Sequence, residues 1–112
     1  MRFEASIENN VLVVAIEMVT LDATNSGEFK QDIGPIIENQ SRVLFDLSNL
    51  NFIDSSGLGA MLSSLRRISA AGGQLKLCGL QPRVQSVFTL VRMNQVFDIS
   101  ATRTDAMHSF SI

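Results

Sequence analysis

Few side chains in this sequence could do covalent chemistry. They are the paired hydroxyls of Ser55 and Ser56 after Asp54, the carboxylates of Asp22 and Asp46, one imidazole at His108 and one thiol at Cys78. Nucleophilic catalysis requires a nucleophile, a base and a stabilising pocket. Ser55 stands where a strand-like run gives way to a helix-like one, as in a nucleophile elbow, but its flanks read Asp-Ser-Ser-Gly rather than G-x-S-x-G. His108 lies in the last helical stretch, with no spacing that ties it to Ser55. Asp22, Asp46 and Asp54 occupy strand ends and interiors in no metal-ligand pattern. Gly57-Leu58-Gly59 lacks the third glycine of a dinucleotide loop. Cys78 has no CxxC or Cys/His partner, so neither an internal disulfide nor a structural zinc is expected. The expectation is a protein without catalytic activity, metal or cofactor.

The elements around Ser55 fix its place in the fold. Val43-Leu44-Phe45-Asp46-Leu47 is nearly all apolar, as in a strand buried on both faces. After Phe52-Ile53 the period changes: Leu58, Met61, Leu62, Leu65 and Ile68 form one stripe of a helix, with Ser64, Arg66 and Arg67 largely off it. Asp54, Ser55 and Ser56 therefore stand at a helix N-terminus, where unpaired N–H groups donate to a capping oxygen and favour added negative charge. Gly57 and Gly59 cost helix propensity, roughly 1 kcal/mol each in an exposed helix interior, which either close approach by a partner or tight packing of the helix would explain.

The rest of the chain reads as an α/β alternation. Phe3 to Glu8 and Val11 to Ile16 flank Asn9-Asn10, a hairpin signal. A cap-rich segment, Thr20 to Ser26, precedes a helical face of Phe29, Ile33, Ile36 and Ile37. Gly34-Pro35 predicts a kink or stop near Ile33, because an interior proline removes a backbone bond and clashes with the preceding turn. Ala71-Gly72-Gly73 stops the long helix. Gln74 to Cys78 alternates as a strand, with Cys78 buried as a small hydrophobe facing the helix layer. Pro82 opens a helix carrying Val84, Val87, Phe88 and Val91. Val96 to Ile99 is a short terminal strand, and Thr104 to Phe110 a last helix. Right-handed crossovers between parallel strands would bring the loops at Asp22, Asp54 and Gly79 to one rim.

Composition sets the outer bounds. With 112 residues, 46% hydrophobic and 18% charged, the chain suits one soluble domain over residues 1–112, and a net charge of −2 offers nothing to nucleic acid or an anionic membrane. No apolar run reaches the length of a membrane span and no leader pattern opens the chain, so a cytoplasmic protein is expected.

Asp46 to Gly59, followed by Gly72-Gly73-Gln74-Leu75-Lys76-Leu77-Cys78-Gly79 and the Pro82 helix, resembles the STAS domain, and within it the bacterial anti-sigma factor antagonists. The resemblance implies an α/β fold: an open, mostly parallel sheet of four to five strands with an N-terminal antiparallel hairpin and helices on one side. It implies a monomeric, non-enzymatic switch. The dephosphorylated form would bind an anti-sigma factor serine/threonine kinase and release a sigma factor. Phosphorylation at Ser55 would block binding, and a serine phosphatase would reset it. Asp22 matches the acidic end of the family's Gly-Glu-Leu-Asp turn, although Val19-Thr20 stands where Gly-Glu is usual. Asp22, Asp54, Ser56, Gly57 and Leu58 are the expected partner contacts. The alternative is a non-phosphorylated STAS adaptor in a lipid-transport or other membrane-associated complex.

Overall fold

The structure, a computed structural model, describes residues 2–110; Met1, Ser111 and Ile112 of the expected domain lie outside the described residues. Strands β1 (Phe3–Glu8) and β2 (Val11–Ile16) form an antiparallel hairpin. Asn9 and Asn10 both take positive φ, 51° and 66°, the left-handed pair that a two-residue turn matched to strand twist requires. The chain continues through β3 (Thr20–Leu21), α1 (Ser26–Ile37), β4 (Arg42–Asp46), β5 (Phe52–Ile53), α2 (Ser55–Ala70) and β6 (Gln74–Cys78). It finishes with α3 (Pro82–Leu90), a single 3-10 turn at Met93–Gln95, β7 (Asp98–Ser100) and α4 (Arg103–Ser109).

The main sheet has the order β1-β2-β4-β6-β7, parallel except at the hairpin, as the alternating pattern predicts. Its central strand β4 is covered on both faces, which is why Val43, Leu44 and Phe45 are all apolar and all fully buried. On one face, Val14, Val43, Phe45, Leu75 and Leu77 pack against Phe29 and Ile33 of α1, Met61 and Ile68 of α2, and Phe88 of α3. The rings of Phe3, Phe29 and Phe45 meet edge to face at centroid spacings of 5.6 and 6.5 Å.

Several expectations are corrected. The helices do not all share one side: Val11, Val13, Leu44 and Cys78 on the opposite face are buried against Ala106 and Phe110 at α4. Cys78 accordingly faces α4 and not the three-helix layer. Residue parity in β6 decides this, since Leu75 and Leu77 point one way and Lys76 and Cys78 the other. Lys76 bridges that face to the end of α4. Its ammonium meets Asp98 at 2.9 Å, donates to the Ser109 carbonyl at 2.8 Å and lies 5.0 Å from the Phe110 ring centre.

Helix α1 neither stops nor breaks at Ile33, and runs to Ile37 with Pro35 inside it. Pro35 is exposed, as is Gln31 one turn earlier, so the carbonyl that loses its donor can turn to water while Ile33 and Ile37 stay buried. The terminal strand begins at Asp98, not Val96, because Phe97 leaves the strand path to pack its ring 5.7 Å from that of Phe88. Ser64, off the expected apolar stripe, is nevertheless buried, its hydroxyl donating to the Ala60 carbonyl at 3.2 Å. Gly72 ends α2 with φ +82° and Gly73 N–H donating to the Ile68 carbonyl, the glycine stop expected there.

Candidate partner-binding site

Ser55 is the first residue of α2 and is exposed. Two short strands build the platform beneath it. β3 and β5 pair in parallel, Thr20 with Phe52 and Leu21 with Ile53, forming a separate two-stranded sheet. Leu21 and Ile53 point inward and are buried, while Phe52 is 44% exposed. Asn51 N–H donates to the Val19 carbonyl at 2.7 Å and Asp54 N–H to the Leu21 carbonyl at 3.3 Å, so the two strand ends are tied where Asp22 and Asp54 emerge.

Asp54 is the N-cap. Its Oδ1 accepts from Gly57 N–H at 3.0 Å, filling one orphan donor of α2. Its Oδ2 accepts from Ala23 N–H at 3.1 Å, so one carboxylate joins the start of α2 to the loop after β3. That loop is also bonded internally. Asp22 Oδ1 accepts from the Thr24 N–H at 2.9 Å and the Thr24 hydroxyl at 2.5 Å; Asp22 N–H donates to Asn25 Oδ1 at 2.9 Å. The Thr24 hydroxyl and the Thr24 and Asn25 N–H groups outweigh partial burial and lower the Asp22 pKa. Asp22 therefore stays a carboxylate through the neutral range, close to Ser55.

The residues expected to meet a partner divide into two kinds. Asp22, Asp54, Ser55 and Ser56 retain accessible surface along one rim. Gly57 and Leu58 are buried, Leu58 with 7% of its surface exposed. A side chain at Gly57 would collide with the Leu21 carbonyl and Ile53, so its bareness is accounted for by α2 crossing the small sheet. The β3–β5 pairing and the Ala23 tie escape sequence inspection, since two-residue strands have no period to read. The Asn25 side chain, which also donates to the Thr20 carbonyl, was legible only as one member of a cap-rich stretch.

The structure does not bring His108 to Ser55. His108 is on α4 and Ser55 on α2, helices that pack against opposite faces of the sheet. Among the described residues no three His, Cys, Asp or Glu side chains gather as a metal set. Cys78 is fully buried, and burial, reinforced by the nearby Asp46 carboxylate, pushes its thiol up to about 11.

The pattern that defines the STAS domain matches residues 2–106. The chain belongs to the STAS domain family. Among its relatives, the anti-sigma-B factor antagonist of Bacillus subtilis is 26% identical over 81 residues, 72% of this chain and 74% of that protein. The anti-sigma F factor antagonist of Paenibacillus polymyxa is 24% identical over 114 residues, covering 100% of this chain and 97% of its own. In three dimensions, an anti-sigma-factor antagonist (STAS) domain protein from Planctomyces limnophilus superposes with a TM-score of 0.85 at 21% identity, over 97% of both chains. That likeness establishes the shared STAS fold. No helix among the described residues is long and apolar enough to cross a membrane.

Proposed function

We propose that this STAS protein is an anti-sigma factor antagonist switched by phosphorylation at Ser55. The dephosphorylated form binds an anti-sigma factor serine/threonine kinase and so releases a sigma factor; the phosphorylated form does not bind, and a serine phosphatase restores it. The observation that carries the reading is the exposed Ser55 hydroxyl at the head of a helix whose cap, Asp54, is held from two directions. A kinase needs an accessible hydroxyl in a fixed place, and this one is presented on a platform that binding need not reorganise. The relatives' names as antagonists of anti-sigma factors support the partner class.

Charge supplies the switch. Phosphorylation adds about −1.5 to −2 at neutral pH, beside Asp54 and close to Asp22. A partner surface complementary to the neutral rim then faces repulsion and a desolvation cost. The helix N-terminus offsets part of that charge within the domain, so phosphorylation changes association more than folding. Ser56, one residue into the helix and half-buried, contributes contact surface and is not the acceptor.

The test is a titration of the host kinase with four proteins. Ser55→Ala is expected to abolish phosphorylation and keep binding, Ser55→Asp to weaken binding at least tenfold, and Ser56→Ala to be phosphorylated at Ser55 like wild type. Phosphate mapped to Ser56 in the wild-type protein, or undiminished binding by Ser55→Asp, would overturn the switch.

A further inference from the structure

Of the two glycines near the start of α2, the fold explains only one. Gly57 is bare because a side chain would strike the Leu21 backbone, but a Cβ at Gly59 would meet nothing within 4 Å, and the position is exposed. Glycine there weakens the helix with no internal packing in return. Gly59 lies in an open cleft of about 260 Å³, lined also by Ser55, Leu58, Leu62, Val91 and Met93. The far wall comes from the end of α3, where Arg92 takes φ +62° and turns the chain so that Met93 joins the lining. Among the described residues, no charged side chain lines the cleft. Val91 is 45% exposed and its neighbour Leu90 is 83% exposed, an apolar edge that the other described residues leave uncovered. The volume falls below the roughly 300–1,000 Å³ of small-molecule sites and is on the scale of protein side chains.

We propose that this cleft receives an apolar side chain of the anti-sigma factor kinase that acts on Ser55, and that Gly59 is bare so that the partner's backbone can approach α2. The proposal rests on the reading of Ser55 given above. Ser55 is itself a wall of the cleft, so a protein that reaches the Ser55 hydroxyl is already at its mouth. The same placement couples recognition to the switch: a phosphate on Ser55 would put its charge at the entrance to an uncharged cavity, and seating an apolar group there would strip water from the phosphate.

Gly59→Ala separates this role from a structural one, because alanine should help the fold while obstructing the partner. The purified host kinase that phosphorylates Ser55 is titrated with wild type, Gly59→Ala, Val91→Asp and a control, Ser41→Asp, whose added charge lies at the opposite end of β4. Gly59→Ala is expected to raise Tm by a few degrees and weaken kinase binding roughly tenfold; Val91→Asp, at the C-terminal end of α3, should lower Tm slightly and weaken binding while staying folded at the titration temperature, and Ser41→Asp should bind like wild type. Wild-type affinity in both Gly59→Ala and Val91→Asp overturns the cleft while leaving the Ser55 switch intact. Self-association of the wild-type chain that Gly59→Ala abolishes, with kinase binding unaltered, overturns it in favour of a second copy as occupant. A host in which no kinase acts on Ser55 overturns both readings.

Discussion

Asp22 and Asp54 stand on the same rim, yet their carboxylates work differently. Asp54 accepts one bond within its own helix and one from Ala23, thirty-one positions earlier in the chain, so its removal unlinks two elements. Asp54→Ala is expected to cost about 1–2 kcal/mol from the cap alone, read as a lower urea midpoint. The Asp22 carboxylate accepts from Thr24 within its own loop, and asparagine could keep the Oδ1 acceptor that Thr24 uses. Asp22→Asn should therefore lower the urea midpoint less than Asp54→Ala does while weakening kinase binding, since it keeps an acceptor for Thr24 and loses charge at the partner surface. A variant that unfolds earlier but binds normally would move Asp22 from recognition to loop construction.

Helix α1 shows what an exposed proline does inside an otherwise well-buried element. Its apolar stripe, Phe29, Ile33 and Ile37, is held against the sheet on both sides of Pro35, so packing carries the helix past the break in its own ladder. Pro35→Ala restores the missing N–H at an exposed position and should stabilise the protein by roughly 1–3 kcal/mol, seen as a higher urea midpoint at unchanged slope. A destabilised Pro35→Ala would mean that the proline packs against something that alanine cannot replace. Of the expected kink or stop near Ile33, the stop does not occur, because local propensity was weighed without the tertiary contacts that override it. The longer elements were legible: the hairpin from Asn9-Asn10, α2 from its stripe and the α3 start from Pro82. The platform under Ser55 was not, because β3 and β5 are two residues each and owe their existence to pairing across more than thirty residues of chain. Ser55 could be read from the motif, but the cleft beside it joins α2 to the end of α3, and no local spacing reports such a neighbour.

At the scale of the whole molecule, a polar cluster ties the hairpin, the central strand and the last helix together. Arg103 donates to Asp46 at 2.7 Å and lies 3.7 Å from Glu8. Burial raises the Asp46 pKa, but Arg103 and the Ser48 hydroxyl and N–H outweigh it, so the folded value lies below the ordinary one. The contribution of such a group is fully present above its unfolded pKa, about 4, and is lost as pH falls through the lower folded value. Urea midpoints of wild type and Arg103→Met should thus differ at pH 6 and converge toward pH 3. A gap that stays constant across that range would assign the effect to packing instead. The same helix has a consequence for biosynthesis. Val11, Val13, Leu44 and Cys78 are sealed by Ala106 and Phe110, which follow every strand of the sheet in chain order. During translation the sheet can therefore close over its three-helix face while the other face still lacks its lid. A nascent chain in that condition presents a stripe of valine and leucine to its surroundings, a surface for a chaperone or for another unfinished chain until α4 emerges.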